Sequence, residues 1–142
     1  MKKILVINGP NLNMLGKREP EVYGNKSLTD LEKYTEEKLS DQQVTLEWWQ
    51  SNSESEIIAK VHELVDGEYD ALIINPAAYS HTSVAILDAL KILQIPIVEV
   101  HLTNVYSRET FRHSLLTAQA SSIIMSGLGD NAYYFAALTL LE

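Results

Sequence analysis

No cysteine occurs among the 142 residues, which removes disulfide frameworks, thiolate nucleophiles and cysteine-ligated metals. No apolar run approaches the ~18 residues of a membrane-spanning helix, so no membrane partner is expected. Met1-Lys2-Lys3 and the apolar residues 4–7 begin like a signal peptide. That run stops at Asn8-Gly9-Pro10, short of an h-region of about 7–15 residues, and a cytoplasmic protein is expected. Positive charge is also scarce: Lys and Arg total 11 against 19 Asp and Glu, for a net charge of −8. Without a basic stripe to neutralise phosphates, nucleic acid is excluded as a partner. Arginine is the scarcest basic residue, present only as Arg18, Arg108 and Arg112 in two loop-like segments. A guanidinium is always charged, and its planar donors match a carboxylate or phosphate. The grouping reads either as a local anion site or as three solvated surface charges.

What is present is an ordinary globular composition, 46% hydrophobic and 21% charged, in a length that suits one catalytic domain over residues 1–142. Strand-like and helix-like patterns alternate. Residues 4–8 form a short, solidly apolar run, as in a strand buried on both faces. Ser27 and Asp30 make an S-x-x-D capping box before a helix striped by Leu28, Leu31, Tyr34 and Leu39. Val44, Leu46 and Trp48 alternate as a second strand. Ser53 and Glu56 cap a second helix whose apolar face carries Ile57, Ile58, Val61, Leu64 and Val65. Further strands are expected at 71–75, 97–101 and 122–125, with helices from Thr82 or Ser83 to about 93, from Ser107 to 113, and over 131–141. Five strands alternating with helices imply a parallel sheet covered on both faces. Right-handed crossovers favour an α/β, flavodoxin-like three-layer sandwich with strand order 2-1-3-4-5. Ligands in such sheets sit beyond the carboxyl ends of the strands, where Asn8, Asn75 and His101 end strands one, three and four. Trp48-Trp49 lies on the edge strand. The two rings cannot both point inward, so one is expected at a subunit contact.

Residues 9–26 hold no convincing strand or helix, against the usual 2–6 residues of a βα loop, and read as a lid or binding loop. They include Asn11, Asn13, Arg18, Glu19 and Tyr23. Glu99 and His101 stand two apart on strand four and share a face. A lone carboxylate in a central strand is costly, and pairing with histidine offsets that cost. The pair is either a structural ion pair or one that keeps a protonated imidazole ready as a general acid. Asn75 to Ser83 is a proline turn into a capped helix, in which Asn75 and His81 can orient hydroxyls or a carboxylate. Leu102, Thr103 and Asn104 stand beside Arg108 and Arg112, which share a face if the segment is helical. Tyr23 is either packing or, close to arginine, a phenolate base.

The motifs Gly9-Pro10-Asn11-Leu12-Asn13-Met14-Leu15-Gly16, Arg18-Glu19-Pro20, Tyr23-Gly24, Gln50-Ser51-Asn52, Ile74-Asn75-Pro76, His81-Thr82-Ser83-Val84-Ala85, Glu99-Val100-His101-Leu102 and Phe111-Arg112-His113 together resemble the type II 3-dehydroquinate dehydratases. The likeness runs nearly end to end. It implies cofactor-free dehydration of 3-dehydroquinate to 3-dehydroshikimate, the third step of the shikimate pathway that leads to aromatic amino acids. It also implies a flavodoxin-like fold and a homo-dodecamer, a tetramer of trimers. By resemblance, Tyr23 removes a proton beside the ketone, while Arg18, helped by Arg108, favours the phenolate and the enolate. Asn11 holds the associated water. His101, oriented by Glu99, protonates the departing hydroxyl in an anti elimination. Asn75, His81, Leu102, Thr103 and Arg112 bind the substrate, and Asp88 reaches a neighbouring subunit's site. The resemblance assigns no metal. The chain departs from the family pattern at Ser53, Ser55, Ala77, Leu87 and Ser114, none of them a family catalytic position; Ser53, Ser55 and Leu87 bear on subunit contacts. Two other readings stand beside this one: a metal hydrolase built on His81, His101 and Glu99, and a non-catalytic binding module of the same shape.

Overall fold

The structure, a computed structural model, describes residues 1–17 and 19–142, with the side chain of Tyr23 also outside the described set. Among these residues five parallel strands form one sheet in the order β2-β1-β3-β4-β5: β1 (Lys2–Asn8), β2 (Val44–Gln50), β3 (Ala71–Asn75), β4 (Ile97–His101) and β5 (Ile123–Ser126). The three inner strands are apolar and buried on both faces, β3 and β4 along their whole length. The helices are a single turn, α1 (Pro20–Tyr23), then α2 (Leu28–Lys38), α3 (Glu54–His62), α4 (Val84–Ile92) and α5 (Ala132–Leu140). Strand order and layering are those expected from the alternation of runs.

Alternating side chains divide the core in two. Ile4, Val6, Ile73, Val98 and Val100 pack under α2 and α5, and Leu5, Ile7, Leu72, Ile74 and Ile97 under α3 and α4. This two-sided burial resolves the tryptophan pair. Trp48 meets Tyr133 edge-on at 5.3 Å and joins one cluster, while Trp49 joins the other. The two rings therefore point to opposite faces of β2, each only partly buried against its cluster.

Side-chain caps hold α2, α3 and α4 where they were expected to start. Ser27 and Asp30 bond reciprocally at α2, Ser53 accepts from the Glu56 N–H at α3, and Ser83, rather than Thr82, accepts from the Ile86 N–H at α4. Three expectations need correction. Helix α3 stops at His62 and continues as a tighter 3₁₀ turn, Glu63–Asp66, which leaves Val65 51% exposed. Residues 107–113 do not form one capped helix. They are split between two 3₁₀ turns, Val105–Ser107 and Thr110–His113. Asn104 caps the first by accepting from the Tyr106 N–H, and the Ser107 hydroxyl bonds back to the Asn104 carbonyl. Short polar side chains compete with helix for backbone partners in this way. Finally, the long first connection contains a 3₁₀ turn (Leu12–Met14) as well as α1.

Candidate active site

The carboxyl ends of β1, β3 and β4 open into one cavity of about 700 Å³, open solvent at its mouth included. Asn11, Asn75, His81, His101, Leu102, Thr103, Arg108 and Arg112 all line it, so eight of the twelve residues singled out in the sequence converge. Glu99 stands directly behind His101. Asp88 is exposed on α4 and does not line the cavity. Arg18 and the Tyr23 side chain lie outside the described residues.

The floor is a chain of buried polar groups. Asn8 and Asn75 are register partners in β1 and β3, and the Tyr133 hydroxyl reaches both. It donates to Asn8 Oδ1 at 2.5 Å and accepts from Asn75 Nδ2 at 3.2 Å. Burial pushes the Tyr133 phenol well above its ordinary range despite the opposing Asn75 bond, so it stays neutral and serves only to orient its partners. Asn75 Oδ1 accepts from the Ala77 N–H at 3.1 Å. One amide proton of Asn75 then remains for a ligand. Ala77 adopts φ 52°, the left-handed region that L residues avoid. Gly9 is required by a close approach, because a Cβ would come within 2.6 Å of the Pro76 carbonyl oxygen.

On the β1 side, Asn11 has φ 69°, a conformation asparagine tolerates better than most residues. Its N–H donates to Asn52 Oδ1 at 2.9 Å, and Gln50 braces the same oxygen at 3.1 Å. On the β4 side, His101 is 5% exposed and Glu99 fully buried. His101 Nε2 lies 2.8 Å from Glu99 Oε2, while Glu99 Oε1 accepts from the Thr117 hydroxyl at 2.6 Å. A carboxylate only accepts, so the shared proton sits on Nε2 and Nδ1 is the ring nitrogen left for a ligand. The His81 ring stacks at 6.4 Å from that of His101. Its Nδ1 donates to the Ser114 carbonyl at 3.0 Å, which leaves Nε2 as an acceptor. Burial holds the His81 imidazole below its ordinary range, against the opposing pull of the Ser114 bond.

The two described arginines do not share a helix face, yet both reach the cavity because Glu109 gathers them. Its Oε1 lies 2.9 Å from Arg112 Nε and 3.8 Å from Arg108 Nε. The Arg112 hydrogen bond keeps the Glu109 carboxyl below the usual carboxylate range. Leu102 and Thr103 are fixed through their carbonyls, which accept from the Gly129 N–H and the Ser126 hydroxyl, both at 2.9 Å. Among the described residues, no group of three or more His, Asp or Glu side chains is placed to hold a metal ion, and no lysine lines the cavity.

Reasoning from sequence missed Tyr133, Thr117 and Glu109, and gave no role to Asn52, which entered only within the motif Gln50-Ser51-Asn52. Tyr133 and Thr117 carry no local signal, since their partners lie 58 and 18 positions away. Glu109 does carry one: an acid three residues before Arg112 is within ion-pair reach on any helical turn.

The family model described as "Dehydroquinase class II" matches residues 2–141. A 3-dehydroquinate dehydratase of Clostridium botulinum is 48% identical over 136 residues, covering 96% of this chain and 92% of that protein. One from Actinobacillus pleuropneumoniae is 46% identical over 136 residues, covering 96% and 88%. The crystal structure of a type II dehydroquinase from Butyrivibrio crossotus superposes with a TM-score of 0.95 at 42% identity, covering 99% of this chain and 98% of that one.

Proposed function

Because the chain belongs to the class II dehydroquinase family, we propose that it dehydrates 3-dehydroquinate to 3-dehydroshikimate through an enolate. The observation that carries this reading is the buried Glu99–His101 pair at the wall of a cavity that also gathers Asn75, His81, Arg108 and Arg112. The substrate is a small carboxylate bearing several hydroxyls. Arg112, Asn75 and Thr103 are the donors that suit it, and His81 Nε2 is an acceptor for a hydroxyl.

Tyr23 is the base. As a phenolate it takes the proton from the carbon beside the ketone, and the electron pair moves onto the carbonyl oxygen. Arg18, supported by Arg108, favours both the phenolate and the enolate through its charge. Asn11 holds the water that bonds the enolate oxygen. When the enolate collapses, the carbon–oxygen bond to the leaving hydroxyl breaks, and His101 Nδ1 supplies the proton that lets it depart as water. Glu99 keeps the Nε2 proton in place and stabilises the imidazolium before transfer. Base and acid act from opposite faces, which is anti elimination. No cofactor is required. We extend the reading to a cytoplasmic dodecamer, a tetramer of trimers; among the described residues no helix is long and apolar enough to cross a membrane.

Purified protein given 3-dehydroquinate should produce the ultraviolet absorbance of a conjugated enone, and a flat trace from folded protein would refute the activity. Tyr23→Phe should lower kcat about 10²- to 10⁴-fold, the usual worth of a positioned base; near-normal turnover would remove Tyr23 from that role. Borohydride added with substrate should leave activity intact, in keeping with a cavity without lysine. Covalent trapping would point instead to a lysine Schiff base.

A further inference from the structure

We propose that Thr117 is a positioning residue for His101, acting through Glu99. The inference rests on the reading of His101 as the acid. Glu99 is fully buried at the centre of the sheet, flanked in register by Ile74 of β3 and Ile124 of β5. A carboxylate in such surroundings needs a donor on each oxygen. Oε2 has His101 Nε2 at 2.8 Å, and Oε1 has the Thr117 hydroxyl at 2.6 Å. Thr117 is itself fully buried and opens the 3₁₀ turn Thr117–Ala120, in the segment between Arg112 and β5.

Two donors on opposite oxygens fix the plane of the carboxylate. That plane sets the tilt of the imidazole and keeps the proton on Nε2, so that Nδ1 faces the leaving group. Without the hydroxyl, Oε1 becomes a buried acceptor with no donor. The carboxyl group then relieves itself either by turning away from His101 or by taking up a proton. Both responses weaken the support of the imidazolium. Neither disturbs Asn75, His81 or Arg112, which hold the bound substrate.

The test compares Thr117→Val, Thr117→Ser and Glu99→Gln with Thr117→Val/Glu99→Gln, measuring kcat, KM and the thermal midpoint of each. Valine keeps the shape of threonine and removes the hydroxyl; serine keeps the hydroxyl. Thr117→Val should lower kcat about tenfold or more, the scale of a lost hydrogen bond to a buried charge, with KM within about twofold. Thr117→Ser should restore most of kcat. In the Glu99→Gln background the valine change should have little further effect, since its route to His101 is already cut. A role confined to packing would lower the thermal midpoint and leave kcat of the folded protein alone. Wild-type kcat in folded Thr117→Val would overturn the proposal, as would full additivity with Glu99→Gln. If valine at 117 prevents folding, Thr117→Ala, which also removes the hydroxyl, is compared alone and with Glu99→Gln on the same additivity criterion. Wild-type turnover in His101→Gln would instead remove the acid assignment itself, and the role of Thr117 with it.

Discussion

Ala77 holds a left-handed backbone, φ 52°, because Asn75 Oδ1 captures its N–H and directs the chain round the floor of the cavity. For an L residue this conformation costs about 1–2 kcal/mol, partly offset by the greater freedom glycine has in the unfolded chain. Ala77→Gly should therefore raise stability by about 0.5 kcal/mol, read as a higher urea midpoint; a lower midpoint would show that the alanine methyl contributes more than the strain costs. His81 gives a second prediction at this scale. Burial holds its imidazole below the ordinary value of 6.5. The unfolded chain therefore takes up a proton near pH 6.5 while the folded protein resists it. Stability from this group is full above pH 6.5 and is lost as pH falls below it. The urea midpoint of the wild type should decline more steeply below pH 6.5 than that of His81→Gln, and parallel curves would contradict the shift. The individual site residues were legible because chemically distinctive types, Arg, His, Asn and Glu, crowd around strand ends. Tyr133 was not, because a buried aromatic on a helix reads as core until its hydroxyl is seen to join Asn8 and Asn75.

Helix starts were the most legible elements, since a cap is a local pattern of a hydroxyl and an N–H three residues on. Their energetic weights differ with tertiary setting. Ser27 caps α2 within a self-contained box. Ser83, 2% exposed, caps α4 and also donates to Glu54 Oε2 at 2.5 Å, which ties the starts of α3 and α4 together. Ser83→Ala should cost about 2 kcal/mol and Ser27→Ala about 1 kcal/mol. Chemical denaturation of the two variants checks the order, and equal losses would show that the bond to Glu54 is worth little. Strands β3 and β4 matched their expected bounds because both are short, wholly buried runs that are apolar but for Glu99 and end in Asn75 and His101 at the rim. The helix expected over 107–113 failed for an equally physical reason. Asn104, Ser107 and Glu109 spend their polar groups on nearby backbone and arginine, and these local bonds favour two short turns.

At the scale of the whole molecule, Asp88 is the residue whose expected role the single chain does not fulfil. It is exposed on α4 and is not among the cavity-lining residues. Leu87 beside it is only 7% exposed and packs inward. Tyr23→Phe and Asp88→Ala homo-oligomers should each have low activity. Hybrids formed by refolding the two together should recover part of it, because some sites then combine an intact Tyr23 with a partner's intact Asp88. No recovery in hybrids of confirmed mixed composition would return Asp88 to its own chain. By itself, the sequence determined the parallel sheet, the strand order, the rim and most of the residues on it. Periodicity, caps and crossover handedness act over short stretches and point to one topology. Only the tertiary structure decided how those residues are held: Thr117 on Glu99, Tyr133 on Asn75, Glu109 on both described arginines, and the two tryptophans on opposite faces. Each of these depends on where distant segments come to rest against one another once both sides of the sheet are covered.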